Sequence, residues 1–376
     1  MINNNFQITK NKENQFILEI NEKSFLVGEV VYMILSRIKK SISEDEIVDD
    51  IKGIKGYENF TILKLHQFLE NEITPLFNSQ LNDSKNPVKK IFTVIKPEKH
   101  LNYFSFLIKL FHLNFFWTAF IFQLVISSLF IYKNLSFYNQ MAEFKIEWFF
   151  SFFFLVFIML IHELGHVVAS LKFKIIPKEI GFGFYFIYPA LYTNLTQIWK
   201  LNKFEKVIVN LGGIYFQLFI NLILIGLFYW LNDYKNLLFL FFTINFGIIL
   251  FNLNPFFKFD GYWVFSDVLK IPNLRAKANA YLVSLIKLNG SRKNEIVIVK
   301  VYAVLYFVFM LFIWCLITKY IVLNFDIFFK RIKTFHSIKN NLDYLLGYVI
   351  TLILAFRIVY GFVFSYYKIR KNDKRN

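Results

Sequence analysis

Charge is scarce in this sequence: 18% of its 376 residues are Asp, Glu, Lys or Arg, against about 25% in a water-soluble domain. Cysteine is scarcer still. The single Cys315 lies inside an apolar run, which excludes disulfides and cysteine-ligated metal sites. The first residues, Met1 to Phe6, carry no charged-then-apolar signal, so insertion into a bilayer is expected to be directed by internal segments. Acidic residues thin out along the chain. Residues 1–105 hold 14 Lys/Arg and 14 Asp/Glu, whereas residues 106–376 hold 29 against 12, so the whole formal charge of +17 belongs to the second part. What fills that part is hydrocarbon. The chain is 56% hydrophobic and 20% aromatic, with 50 Phe, which argues against an ordinary cytosolic protein.

These imbalances predict a small soluble domain over 1–105 and a multi-pass membrane domain over 106–376. Basic charge among long apolar runs suits the anionic lipids of an inner leaflet. A nucleic-acid binder would carry that charge on its soluble domain, so no nucleic-acid partner is expected. In residues 14–27 apolar positions roughly alternate around Asn21-Glu22-Lys23, which predicts a hairpin. Helical stripes follow at Val30, Ile34 and Ile38, then behind a Ser43/Glu46 capping pair, then over 61–72. The fold class expected is therefore an all-α polytopic membrane protein preceded by a small α+β, winged-helix-like cytoplasmic domain. The acidic second helix and the balanced charge favour peptide or protein recognition there over DNA.

Six spans are predicted, at about 111–132, 148–171, 207–230, 237–254, 300–323 and 343–365. Lysines and arginines crowd the 172–206 and 255–299 connections, which puts both termini in the cytoplasm and the chain in the cytoplasmic (inner) membrane. Lys330, Arg331, Lys333 and Lys339 fall on the wrong side of that scheme, so 324–340 is alternatively an interfacial amphipathic helix.

Polar residues inside lipid are costly and need partners. They concentrate at His162–His166 and Asn252–Asp260. Residues 162–166 read His-Glu-Leu-Gly-His; on a helix the two imidazoles share one face and can grip one zinc ion, with Glu163 beside it to take a proton from water. A third protein ligand is needed. The other histidines are scattered, and the nearby carboxylates are Asp260 and Asp267. Pro255 should unwind the chain after the fourth span, and Gly261 should allow a sharp turn after Asp260. Such a broken element could present a carboxylate at membrane depth, in the same leaflet as the histidines.

This pair of motifs, His162-Glu163-Leu164-Gly165-His166 and Asn254-Pro255 with Asp260-Gly261, resembles the site-two protease family of intramembrane zinc metalloproteases. The resemblance implies Zn²⁺ bound by His162, His166 and Asp260, Glu163 as catalytic base, and Asn254 near the substrate. The longer run Phe251–Trp263 with Ile271-Pro272-Asn273-Leu274 is similar to the branch of peptide zinc metalloproteases found beside peptide-maturation and export systems. The N-terminal pattern resembles the peptide-binding chaperone domains of such systems. Phe259 stands where the family often has leucine. The resemblance runs over roughly 15–275 and implies a catalytic core at about 148–265. It also implies a membrane-associated hairpin at 181–196, a peptide or membrane-protein substrate, and export or maturation components as partners. A non-catalytic membrane subunit of an export or immunity system is the alternative; a transporter would need repeated halves with paired broken helices, which are not seen. Span three carries Asn210, Gly212, Gly213, Gln217 and Asn221 at helical spacing, which suits either close helix packing or support of the site.

Overall fold

The computed structural model describes residues 6–11, 14, 16–20, 23–74, 77, 88–135, 137, 148–185, 188–286, 296–332, 348, 349 and 351–353. Residues 1–270 form one compact unit and 271–376 another.

The first unit begins with an antiparallel meander of β1 (Phe6–Lys10), β2 (Phe16–Ile20) and β3 (Lys23–Val27). The β2–β3 pair is the expected hairpin, while β1 adds a strand that the sequence pattern did not reveal. Three helices follow: α1 (Glu29–Lys39), α2 (Glu44–Lys52) and α3 (Ile62–Phe68). Ser43 accepts from the Glu46 amide at 3.4 Å, so the predicted N-cap of α2 is present. Apolar faces spaced three and four apart supply Ile34, Leu35, Ile47, Ile51 and Leu65, which close over Leu18 and Ile20 of the sheet.

A second three-stranded sheet carries β4 (Val88–Ile95), β5 (Ile180–Tyr185) and β6 (Tyr188–Thr193), in that order and all antiparallel. The expected hairpin at 181–196 is thus joined by a strand from the region before the first span. Two register irregularities in β4, at Lys90/Phe92 and Thr93/Ile95, break its alternation and hide it from a period-two reading.

Five helices are long and apolar enough to cross a membrane, covering Leu113–Lys133, Phe150–Lys172, Lys203–Trp230, Asn232–Asn252 and Val297–Asp326. They mark the chain as a mostly helical membrane protein. The first four belong to α4 (Leu113–Lys133), α5 (Trp148–Lys172), α6 (Lys203–Trp230) and α7 (Lys235–Asn252). Helix α6 is the most enclosed and packs against α4, α5 and α7. Its entry is fixed by a capping box: Asn202 accepts from the Glu205 amide at 3.0 Å and Glu205 accepts from the Asn202 amide at 3.1 Å. Two cores lie along it. One gathers Phe111, Phe116, Val168, Tyr215 and Leu218; the other stacks Phe130, Phe154, Phe228, Phe239 and Phe242. Helix α8 (Asp260–Val268) ends the unit.

In the second unit, α9 (Leu274–Ile286) packs against α10 (Val297–Ile332), and Arg275 lies over the Tyr306 ring at 5.2 Å. Helix α10 runs unbroken through Lys330 and Arg331, so residues 324–332 continue the helix that carries the fifth span, beyond the end of its apolar stretch at Asp326. The sixth span expected at 343–365 lies almost wholly outside the described residues.

Candidate metal centre

The site is set by three backbone approaches that only glycine permits. A Cβ on Gly165 of α5 would sit 2.2 Å from the carbonyl oxygen of Gly212, and one on Gly212 would sit 2.6 Å from that of Gly165. The two helices therefore touch backbone to backbone where the first histidine motif lies. One turn along, a Cβ on Gly213 would lie 2.6–2.7 Å from the His162 ring, so the ring rests flat on bare backbone. The third approach corrects an expectation. Gly261 makes no sharp turn; it sits inside α8, where its missing Cβ lets that helix abut the Leu253 carbonyl, 2.2 Å from where a Cβ would be.

The chain between α7 and α8 does unwind as Pro255 predicts, with irregular backbone from Asn254 to Phe259. Asn254 shapes it: its Oδ1 accepts from the amides of Phe256 and Phe257, at 2.8 and 3.3 Å. The segment folds back and delivers Asp260 to the histidines. Asp260 Oδ2 lies 3.0 Å from His162 Nε2 and 3.5 Å from His166 Nε2, and the two Nε2 atoms are 3.1 Å apart. His162, His166 and Asp260 are the group of potential metal ligands among the described residues. Asn254 serves the local turn instead of joining that group. Asp267, the other candidate carboxylate, accepts from Asn210 Nδ2 at 3.0 Å.

The three residues suit a zinc ion. Tetrahedral coordination at about 2.0–2.1 Å separates ligand atoms by roughly 3.3 Å, close to the edges seen here. Asp260 Oδ2 is buried and makes no well-formed hydrogen bond; its close polar neighbours are the two imidazole Nε2 atoms, so its charge needs a cation there, a metal ion or an imidazolium. The outer ring nitrogens are also engaged. His166 Nδ1 donates to the Val209 carbonyl at 2.8 Å, and His162 Nδ1 lies 2.9 Å from Gln217 Oε1.

Glu163 points to the hairpin side, where Thr193 at the end of β6 donates to its Oε2 at 2.6 Å. The same strand end is tied down by Glu179, which accepts from Lys90 and Thr93 of β4, both at 2.5 Å, and from Tyr192 at 3.1 Å. Burial would raise the Glu179 carboxyl, but those donors hold it below the ordinary carboxylate range. Burial, then the bond to Glu179, pushes the Tyr192 phenol up to about 12. Beyond Gln217 a buried chain continues: Gln217 Nε2 to Asn245 Oδ1 at 3.1 Å, Asn245 Nδ2 to Asn221 Oδ1 at 2.8 Å, and Asn221 Nδ2 to Ser127 at 3.4 Å.

Sequence reasoning singled out Gln217 and Asn221 but passed over Val209, Thr193, Glu179, Asn245 and Ser127. A backbone carbonyl carries no sequence signal. Asn245 did carry one, as a lone amide inside a span.

A Bacillus subtilis (strain 168) protein named "Putative peptide zinc metalloprotease protein YydH" is 31% identical over 137 residues, 35% of this chain. The matched region spans 53% of that protein's length, about half of it. No family model matches the chain. No solved structure matches it either.

Proposed function

We propose that the chain is a zinc-dependent intramembrane metalloendopeptidase, acting on a membrane-associated or ribosomally made small peptide during maturation, export or signalling. The observation that carries this reading is the convergence of His162, His166 and the buried Asp260 carboxylate, with Glu163 next to His162 on the histidines' helix. The relative's name supports the zinc peptidase class. Zinc held by these three residues would lower the pKa of water and polarise the scissile carbonyl. Glu163 would serve as the general base, accepting a proton from the attacking water and returning it to the leaving amine. Thr193 holds the carboxylate toward β6, the side from which an extended peptide would approach. Asn254 orients the substrate or stabilises oxyanion charge through its amide donor, its oxygen being committed to the turn.

The reading extends to the setting: an inner membrane, a cytoplasmic N-terminus, and an N-terminal domain that recognises peptide rather than nucleic acid. Export or maturation components are the expected partners, and anionic lipids the expected surroundings.

The test is cleavage of small peptides encoded beside this gene by the purified full-length protein. Glu163→Gln should keep its zinc and lose hydrolysis by at least about 10²-fold, the lower range for general base catalysis. Equal turnover by the variant would remove Glu163 from the chemistry. Absence of turnover in both would favour the non-catalytic membrane subunit.

A further inference from the structure

On the zinc reading above, both histidines must present an unprotonated Nε2 to the ion, so each must keep its proton on Nδ1. For His166 the backbone decides this, because the Val209 carbonyl can only accept. For His162 the partner is the Gln217 carboxamide, which can face the ring with either its oxygen or its NH₂. The wrong face would favour the other tautomer and put a hydrogen where the metal belongs.

The structure resolves this choice through Asn245. Its Nδ2 lies 2.9 Å from the backbone carbonyl of Gln217, and a carbonyl can only accept. The amide of Asn245 is thereby oriented with its Oδ1 on the opposite side, 3.1 Å from Gln217 Nε2. Gln217 must then donate through Nε2 to Asn245, which leaves its Oε1 facing His162 Nδ1 at 2.9 Å. The second hydrogen on Asn245 Nδ2 goes to Asn221 Oδ1 at 2.8 Å, which reinforces the orientation. Gln217, Asn221 and Asn245 are fully buried, so water cannot substitute for any link.

We propose that Asn245 is a positioning residue for the metal centre: a hydrogen-bond relay from the Gln217 carbonyl through Asn245 and the Gln217 carboxamide fixes His162 in the Nδ1–H tautomer that can bind zinc. Asn245 touches neither the ligand atoms nor the reacting ones. It acts from α7 on a histidine of α5, through α6.

The experiment uses full-length protein in detergent, with zinc affinity measured by chelator competition. The visible spectrum of the cobalt-loaded protein is recorded alongside, as is the ¹⁵N spectrum of labelled histidine in the metal-free protein. Asn245→Leu should weaken zinc about 10–100-fold, alter the cobalt bands and lose the fixed Nδ1–H signature of His162. Adding Gln217→Glu to Asn245→Leu should restore affinity to within about threefold, because a carboxylate accepts from Nδ1 through either oxygen. A purely structural role for Asn245 would leave the double variant as weak as the single one and overturn the relay. Unchanged zinc affinity in Asn245→Leu would overturn it too. If Asn245→Leu does not fold, Gln217→Met against Gln217→Glu replaces it: loss in the first and retention in the second support the relay, and equal affinities defeat it. Wild-type protein that binds no zinc would sink the peptidase reading itself, whereas zinc-binding wild type with unaffected variants would sink only the relay.

Discussion

At the scale of single residues, the candidate metal centre depends as much on atoms left out as on those present. His162 lies on Gly213 with no room for a methyl group. Gly213→Ala should therefore push the ring off its position, at a cost of about 1–3 kcal/mol for forced overpacking. Read as binding, this is a loss of about 5- to 150-fold in zinc affinity, measurable by chelator competition. Affinity equal to wild type would show that the ring can yield. The two histidines were legible because helical spacing puts both rings on one face, and Glu163 because it directly follows the first of them. Asp260 was legible because Pro255 announces a broken element beside it. The function of Gly261 was misread, since a glycine that permits close approach and one that permits a turn look the same in a sequence.

At the scale of elements, the β4–β5–β6 sheet is fastened by one carboxylate. Glu179 gathers Lys90 and Thr93 of β4 and Tyr192 of β6, and β6 ends at Thr193, which holds Glu163. The Glu179 carboxyl has its folded pKa below the ordinary value, so it binds fewer protons in the folded state. Its contribution is then present above the ordinary carboxylate pKa of about 4 and is lost as pH falls through the lowered folded value. Glu179→Gln should accordingly loosen the sheet at about pH 7, seen as faster amide exchange in β4 and β6. The difference from wild type should shrink as pH falls below the ordinary carboxylate range and Glu179 becomes protonated. A difference that stays constant with pH would assign the effect to packing. Strand β4 was hidden in the sequence because its partner lies some ninety residues away and its two irregularities spoil the alternation. The helices were easier, since their apolar runs match the bilayer thickness directly.

At the scale of the whole molecule, lysine asymmetry sets the expected orientation, with the 172–206 connection inside and the 231–236 connection outside. Single cysteines in a Cys315→Ser background test it in intact cells. A cysteine at Asp233 should react with an impermeant reagent from outside, whereas one at Lys174 should react only after the inner face is opened. Labelling of Lys174→Cys from outside would reverse the orientation and remove the direct route for a cytoplasmic peptide. Charge partition along the chain made the membrane part plain, because lipid exposure dictates composition over whole segments. It could not show that strand β4, before the first span, joins the hairpin after the second, which is a matter of tertiary pairing.

All of these levels meet at the three ligand atoms. The most direct measurement is the metal content of purified full-length protein, wild type and Asp260→Ala, after equilibration with limiting zinc and removal of excess. The expected result is one zinc per chain in the wild type and a large loss in Asp260→Ala, whose two remaining imidazoles fall short of the three protein ligands usual in a catalytic site. Undiminished stoichiometric zinc in Asp260→Ala would contradict it.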